Sequence, residues 1–271
     1  MKNRCLIALA IWMGCACGVW AQTISVQHPW QGKKVGYIGD SITDPECYGG
    51  RIKNYWAFLQ EWLDMTPYVY GVSGREWNDV PRQAEALKAE HGEDVDAIMV
   101  FMGTNDFNGG IPIGEWYTEQ EEQVEAAIGE MKTLQTRKRR LPAMNNDTYK
   151  GRINIGLKRL KELFPDKQIV LLTPLHRALA NFGDRNLQPD ESYQNVCGEY
   201  LEAYIQALRE AGDIWGVPVI DFHALTGLNP MVEEQVMYFF HPDFDRLHPN
   251  TTGHERMAKT LMYQLLTLPV F

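Results

Sequence analysis

The sequence predicts an α/β fold, on three observations. Short apolar runs of strand length alternate with stretches of helical period along most of the chain. Several of those runs end in small or polar residues, and open parallel sheets place their ligands at the carboxyl ends of strands. The chain has 271 residues, 45% of them hydrophobic, enough for one domain with a substantial core.

Residues 35–38 form the first strand, too short for a helix and stopped by Gly39-Asp40-Ser41. Gly39 permits a sharp bend. Ser41 then stands at the end of the strand, its hydroxyl and backbone N–H facing one cleft; a helix N-cap is the alternative role. Residues 54–63 carry Tyr55, Phe58, Leu59, Trp62 and Leu63 at helical spacing and form the first helix. Residues 68–72 form the second strand, running into Ser73-Gly74-Arg75-Glu76-Trp77. Residues 79–90 form a helix with Pro81 in its first turn. Residues 96–102 are the clearest buried strand, ending in Gly103-Thr104-Asn105-Asp106. Asn105 has a side-chain N–H₂ to offer a developing oxyanion, or to spend on its own turn.

Residues 107–148 break the rhythm and read as an insertion over the cleft. Within it, 118–134 reads as a helix, and Arg137-Lys138-Arg139-Arg140 as a solvated helix end or loop. Trp116 and Tyr117, with Trp77, are the candidate substrate-lining aromatics; packing of the insertion on the body is the alternative for the first two. A helix over 154–164, a strand over 168–172, a loop to about 190, a long helix over 191–210 and a last strand over 217–221 follow. His176 and His223 follow strands and take structural roles. Thr252 and Glu255 fit a capping box that opens a helix over 253–266.

Just before that helix, Asp245 and His248 stand three apart, a spacing at which one turn brings two side chains together. The carboxylate then accepts the imidazole Nδ1–H and leaves Nε2 free to take a proton. His241, Asp243, Asp245 and His248 also read as zinc-type ligands. A metal would leave the serine and asparagine turns unexplained, so the Asp–His pair is preferred.

Residues 1–21 read as a secretory signal: Lys2 and Arg4, an apolar run from Cys5 to Trp20, and a cleavage site at Val19-Trp20-Ala21. Polar Gln22-Thr23 follows, so no stable membrane insertion is expected once the signal is removed. Cys15 and Cys17, each after a small residue, leave lipoprotein anchoring as an alternative. Removing the signal takes two of 26 basic residues and leaves 24 against 35 acidic, a net charge of −11. That balance disfavours nucleic-acid binding. Cys47 and Cys197 remain; export permits a disulfide between them, but two free buried thiols are the simpler expectation.

Gly39-Asp40-Ser41-Ile42, Ser73-Gly74, Gly103-Thr104-Asn105-Asp106 and Asp245-Arg246-Leu247-His248-Pro249 together resemble the SGNH hydrolase, or GDSL lipase/esterase, family. The resemblance spans roughly residues 33–266, with Ile42 in place of the usual leucine. It implies a three-layer α/β/α sandwich with a central parallel sheet of about five strands, flavodoxin-like, as a single domain over 22–271. It also implies Ser41 as nucleophile, Asp245 and His248 as acid and base, and an oxyanion hole of Ser41, Gly74 and Asn105, with Gly71 as fallback for Gly74. No metal or organic cofactor is implied. The expected function is a secreted serine esterase for O-acetyl groups on carbohydrates, with a small-molecule ester the other candidate substrate. The alternatives are an acylhydrolase for longer chains and a non-catalytic glycan-binding module.

Overall fold

The computed structural model describes residues 28–271 apart from 128 and 130; the predicted signal segment lies outside the described residues. The central sheet comprises β1 (Lys34–Gly39), β2 (Thr66–Val69), β3 (Ala97–Phe101), β6 (Gln168–Leu172) and β9 (Val219–Ile220). All its pairings are parallel and the order is β2-β1-β3-β6-β9. Counting only these strands, that is the 2-1-3-4-5 order of flavodoxin-like sheets, which reverses direction between β1 and β3.

Side chains alternate across each strand, so one β-run feeds two cores. Ile98 and Val100 face a cluster with α2 (Val80–His91), α4 (Tyr149–Leu163) and α5 (Leu201–Trp215). Ala97, Met99 and Phe101 face the opposite cluster with α1 (Tyr55–Leu63) and α7 (Thr251–Gln264). Helices on both faces make the three layers and explain why the strands read as continuous apolar runs. Each fully buried Leu or Ile in these layers contributes roughly 1.5–3 kcal/mol.

Five expectations are corrected. The helix expected over 118–134 is a β-hairpin, β4 (Tyr117–Ala126) and β5 (Thr133–Pro142). A helix would stack Glu119 on Glu122 and Glu121 on Glu125, like charges a turn apart. The hairpin sets Glu119 opposite Arg140 and Glu121 opposite Lys138, and Arg139 reaches Glu122 at 3.0 Å. The basic run is thus a strand rather than a helix end or loop. The helix expected from 191 begins at Leu201. Asn195 Oδ1 accepts the backbone N–H groups of Cys197 and Glu199, and Gly198 sits at φ +81°, so the chain turns instead of coiling. Helix α7 is capped by Asn250, whose Oδ1 accepts from the N–H of Thr252 and Gly253, not by a Thr252–Glu255 box. Cys47 and Cys197 are free, but Cys47 is only half-buried and Cys197 is exposed.

The remaining pieces are α3 (Thr104–Asn108), α6 (Phe222–Leu225), a two-residue hairpin β7 (Ala180–Asn181) and β8 (Leu187–Gln188), and the pair β10 (Phe239–His241) and β11 (Asp245–Pro249). Strand β11 joins β7 to β10 in a second small sheet beside the carboxyl end of the main one. No described helix is long and apolar enough to cross a membrane.

His254 on α7 is buried, its ring parallel to Tyr55 and its Nδ1 accepting the Tyr55 backbone N–H at 3.3 Å. Burial pushes its imidazole down to about 3, and the nearby His248 adds to the shift. Below pH ~6.5 the unfolded chain takes up a proton that the folded ring refuses, so stability falls with pH, by about 2 kcal/mol at pH 5. Asp40 and Asp106, raised by burial to about 6 and about 7, work in the opposite sense over the same range. Urea titrations near pH ~7.5 and ~5 therefore isolate the ring by difference: wild type loses about 2 kcal/mol more than His254→Asn. Equal losses in the two proteins would contradict a neutral His254 in the fold.

Candidate active site

The reversal of strand order between β1 and β3 leaves an open crevice above their carboxyl ends. The turn after β1 carries Ser41. Asp40 shapes it: its carbonyl accepts from the N–H of Thr43 and Asp44, and its buried carboxyl accepts from Ile42 N–H at 3.0 Å. Asn105 opens α3 after β3, beyond Gly103, whose φ of +134° only glycine adopts readily.

Asp245 and His248 come from β11, where residues three apart would normally point to opposite faces. The β10–β11 register slips between Phe239↔Pro249 and His241↔Asp245, which puts extra residues in β11. Within that bulge Asp245 Oδ1 accepts from the N–H of Leu247 and His248, so the local turn read in the sequence persists inside a strand.

His248 Nδ1 lies 3.1 Å from both carboxylate oxygens of Asp245, and His248 Nε2 lies 2.8 Å from Ser41 Oγ. With Nδ1–H donated to the carboxylate, Nε2 accepts the Ser41 O–H. Burial alone would raise the Asp245 carboxyl, but hydrogen bonds from His248, Tyr48 and the backbone hold it below the usual range. The arrangement can pass a proton from hydroxyl to ring while the carboxylate steadies the positive charge.

Gly74 follows β2 on a loop pinned at both ends. The Asp44 carboxylate accepts from Ser73 N–H at 2.9 Å and Ser73 Oγ–H at 2.7 Å. Asp106, buried and held by Arg152, accepts from Trp77 N–H at 3.0 Å. Between them Asn105 Nδ2 donates to Arg75 O at 2.9 Å, which leaves its other N–H for the crevice. The backbone N–H groups of Ser41 and Gly74 have no hydrogen-bond partner among the described residues. Gly74 sits at φ +76° and lines the crevice; Gly71 packs against Thr43 and does not.

These groups meet in a cavity of about 270 Å³. Ser41, Gly74, Asn105 and His248 line it, with Tyr48, Phe182, Asn186 and Gln188 among their neighbours. None of the three expected aromatics lines it. Trp77 is fully buried and donates to Met102 O, because its flat ring fills the space under α4. Trp116 packs on the same core and donates to Glu210 at 2.7 Å, and Tyr117 packs beside it under Arg140. No residue of the expected insertion, 107–148, lines the cavity, and Trp116 within it is tied to α4 and α5.

Sequence reasoning missed Tyr48. Its hydroxyl donates to Asp245 Oδ2, its ring stacks on Phe240 with centroids 3.8 Å apart, and it lies T-shaped to the His248 ring with centroids 5.4 Å apart. Nothing in the local run Cys47-Tyr48-Gly49 signals a partner 197 positions away. His176 and His223, expected to be structural, lie together with ring centroids 3.5 Å apart, and His176 Nδ1 meets Glu191 at 2.5 Å. Among the described residues no group of three or more His, Cys, Asp or Glu is arranged to hold a metal ion. His241 instead stacks on Phe244, and its Nδ1 accepts from Asp243 N–H.

Solved structures share this fold. A protein from Lactobacillus plantarum superposes with a TM-score of 0.64 at 23% identity, over 87% of this chain and 97% of that one. A protein described as a possible lipase from Chitinophaga pinensis DSM 2588 gives 0.64 at 22% identity, over 87% and 98%. At such identities the likeness speaks to the fold alone. No curated protein matches the chain. The model of the GDSL-like lipase/acylhydrolase family matches residues 37–256, from inside β1 to the middle of α7, and this chain belongs to that family.

Proposed function

We propose that this protein is an exported serine ester hydrolase that removes O-acetyl groups from carbohydrates by acyl transfer. One observation carries the reading: Ser41 Oγ stands 2.8 Å from an imidazole nitrogen whose opposite nitrogen is held by a buried carboxylate. In the proposed cycle His248 Nε2 takes the Ser41 proton as Oγ bonds to the ester carbonyl carbon. The carbonyl oxygen becomes an oxyanion facing the N–H groups of Ser41 and Gly74 and the free N–H of Asn105. Each such donor is worth about 3 kcal/mol in the transition state. The intermediate collapses, the C–O bond to the alcohol breaks, and His248 returns its proton to the leaving oxygen. Water then attacks the acyl-serine by the same route and releases the acid. Cys47 is no rival nucleophile: burial pushes its thiol up to about 11, so it stays protonated near neutrality.

The acetyl assignment is supported by the cavity. About 270 Å³ is small beside typical ligand pockets of ~300–1,000 Å³, and Ser73, Asn105, Asn186 and Gln188 interrupt the apolar wall that a long chain would need. Export is supported by Lys2 and Arg4 ahead of the apolar run that ends at Ala21.

Ser41→Ala is expected to lower hydrolysis of an aryl acetate by at least about 10³-fold while circular dichroism and melting stay native. Retained activity would remove the mechanism. Across aryl esters, acetate should give the highest kcat/KM and octanoate a value at least about tenfold lower; the reverse order would replace an acetylesterase with a long-chain acylhydrolase. Tyr48→Phe deletes one donor to Asp245. It should lower kcat about tenfold with KM little changed, because the carboxylate that orients the His248 ring loses one of its anchors. An unchanged kcat would make the phenol a packing group only.

A further inference from the structure

An ester has two halves, and the cavity above accounts only for the acyl half. Asn186 lines that cavity and also a second one of about 270 Å³. The same two elements wall both. Helix α3 gives Asn105 to the first and Phe107 and Asn108 to the second. The β7–β8 hairpin gives Phe182 and Gln188 to the first, and Arg185 and Leu187 to the second. The far wall of the second is the irregular stretch before α5, including Tyr193 and Val196.

This stretch is held in place. Asn195 Nδ2 donates to Phe107 O at 3.0 Å and to Tyr204 Oη at 2.8 Å, tying it to α3 and α5. Seven of the eleven lining residues carry polar side chains. Among the described residues, Arg185 forms no ion pair, and the side chains of Asn108 and Tyr193 form no hydrogen bond. Tyr193 is 62% exposed. Exposed rings beside unsatisfied amide and guanidinium donors suit sugars, whose C–H faces stack on aromatics while their hydroxyls accept N–H bonds. A fatty chain would need a continuous apolar wall, which Asp190 and Asn186 interrupt.

We propose that this second cavity binds the carbohydrate chain that carries the acyl group, with Tyr193 as stacking platform and Arg185 and Asn108 as donors to its hydroxyls. The inference rests on the esterase reading for its orientation: acyl group toward Ser41, sugar chain across Asn186.

Binding and turnover test it separately. Ser41→Ala is titrated with partly O-acetylated xylotetraose, and the titration is repeated after adding Tyr193→Ala or Arg185→Ala. Each addition should raise Kd about tenfold; an unchanged Kd, or no binding by the parent, overturns the subsite. In otherwise wild-type protein the same substitutions should lower kcat/KM about tenfold more for the tetraose than for phenyl acetate, through KM. Equal losses on both substrates also overturn it. If wild type leaves phenyl acetate intact, the esterase reading falls instead, and the titration still decides whether this groove holds sugar.

Discussion

The hydrogen bond between Ser41 and His248 joins the turn after the first strand to the bulge before the last helix. Its 2.8 Å length tolerates little drift of either element, because a hydrogen bond weakens steeply with distance and angle. Much of the architecture can be understood as holding those two ends still. The parallel sheet brings Ser41 and Asn105 side by side at the reversal of strand order. The small sheet of β7, β8, β10 and β11 then carries Asp245 and His248 to the same edge.

Carboxylates do the remaining positioning. Asp44 and Asp106 grip the two ends of the loop that carries Gly74, and Asp245 grips the imidazole. Each accepts several N–H or O–H donors, which stabilises negative charge beside the crevice. Asp106 shows the tension: burial lifts its carboxyl to about 7 even with Arg152 at 2.9 Å. Arg152 also bonds Glu76, so one guanidinium closes the loop after β2 onto α3 and α4.

Ser41, Asn105, Asp245 and His248 could be read from the sequence because each stands in a local signature: a strand end, a tight turn, a spacing of three. The alternation of strands and helices was legible for the same reason. The errors share the opposite character. The pairing of Glu119 with Arg140 decides strand over helix for 117–142, and it is a contact 21 positions apart. Tyr48 finds Asp245 only across the folded molecule. Trp77 and Trp116 have the bulk expected of a binding wall, yet whether bulk faces a cleft or a core depends on packing that spacing does not encode. Asn195 stopped a helix whose apolar rhythm began correctly but too early, since a side chain that captures backbone N–H groups leaves no trace in periodicity.

The β4–β5 ribbon has a bearing on how copies of this protein meet. One free edge carries Glu119, Glu121, Glu122 and Glu125; the other carries Arg137, Lys138, Arg139 and Arg140. A twofold axis through either edge would oppose glutamate to glutamate or arginine to arginine, and both arrangements repel. Only a head-to-tail union matches acid with base, and such a union is not a twofold one. The ribbon's own charge map therefore guards its unpaired backbone against symmetric sheet extension, a guard that dilute buffer strengthens and brine dissolves.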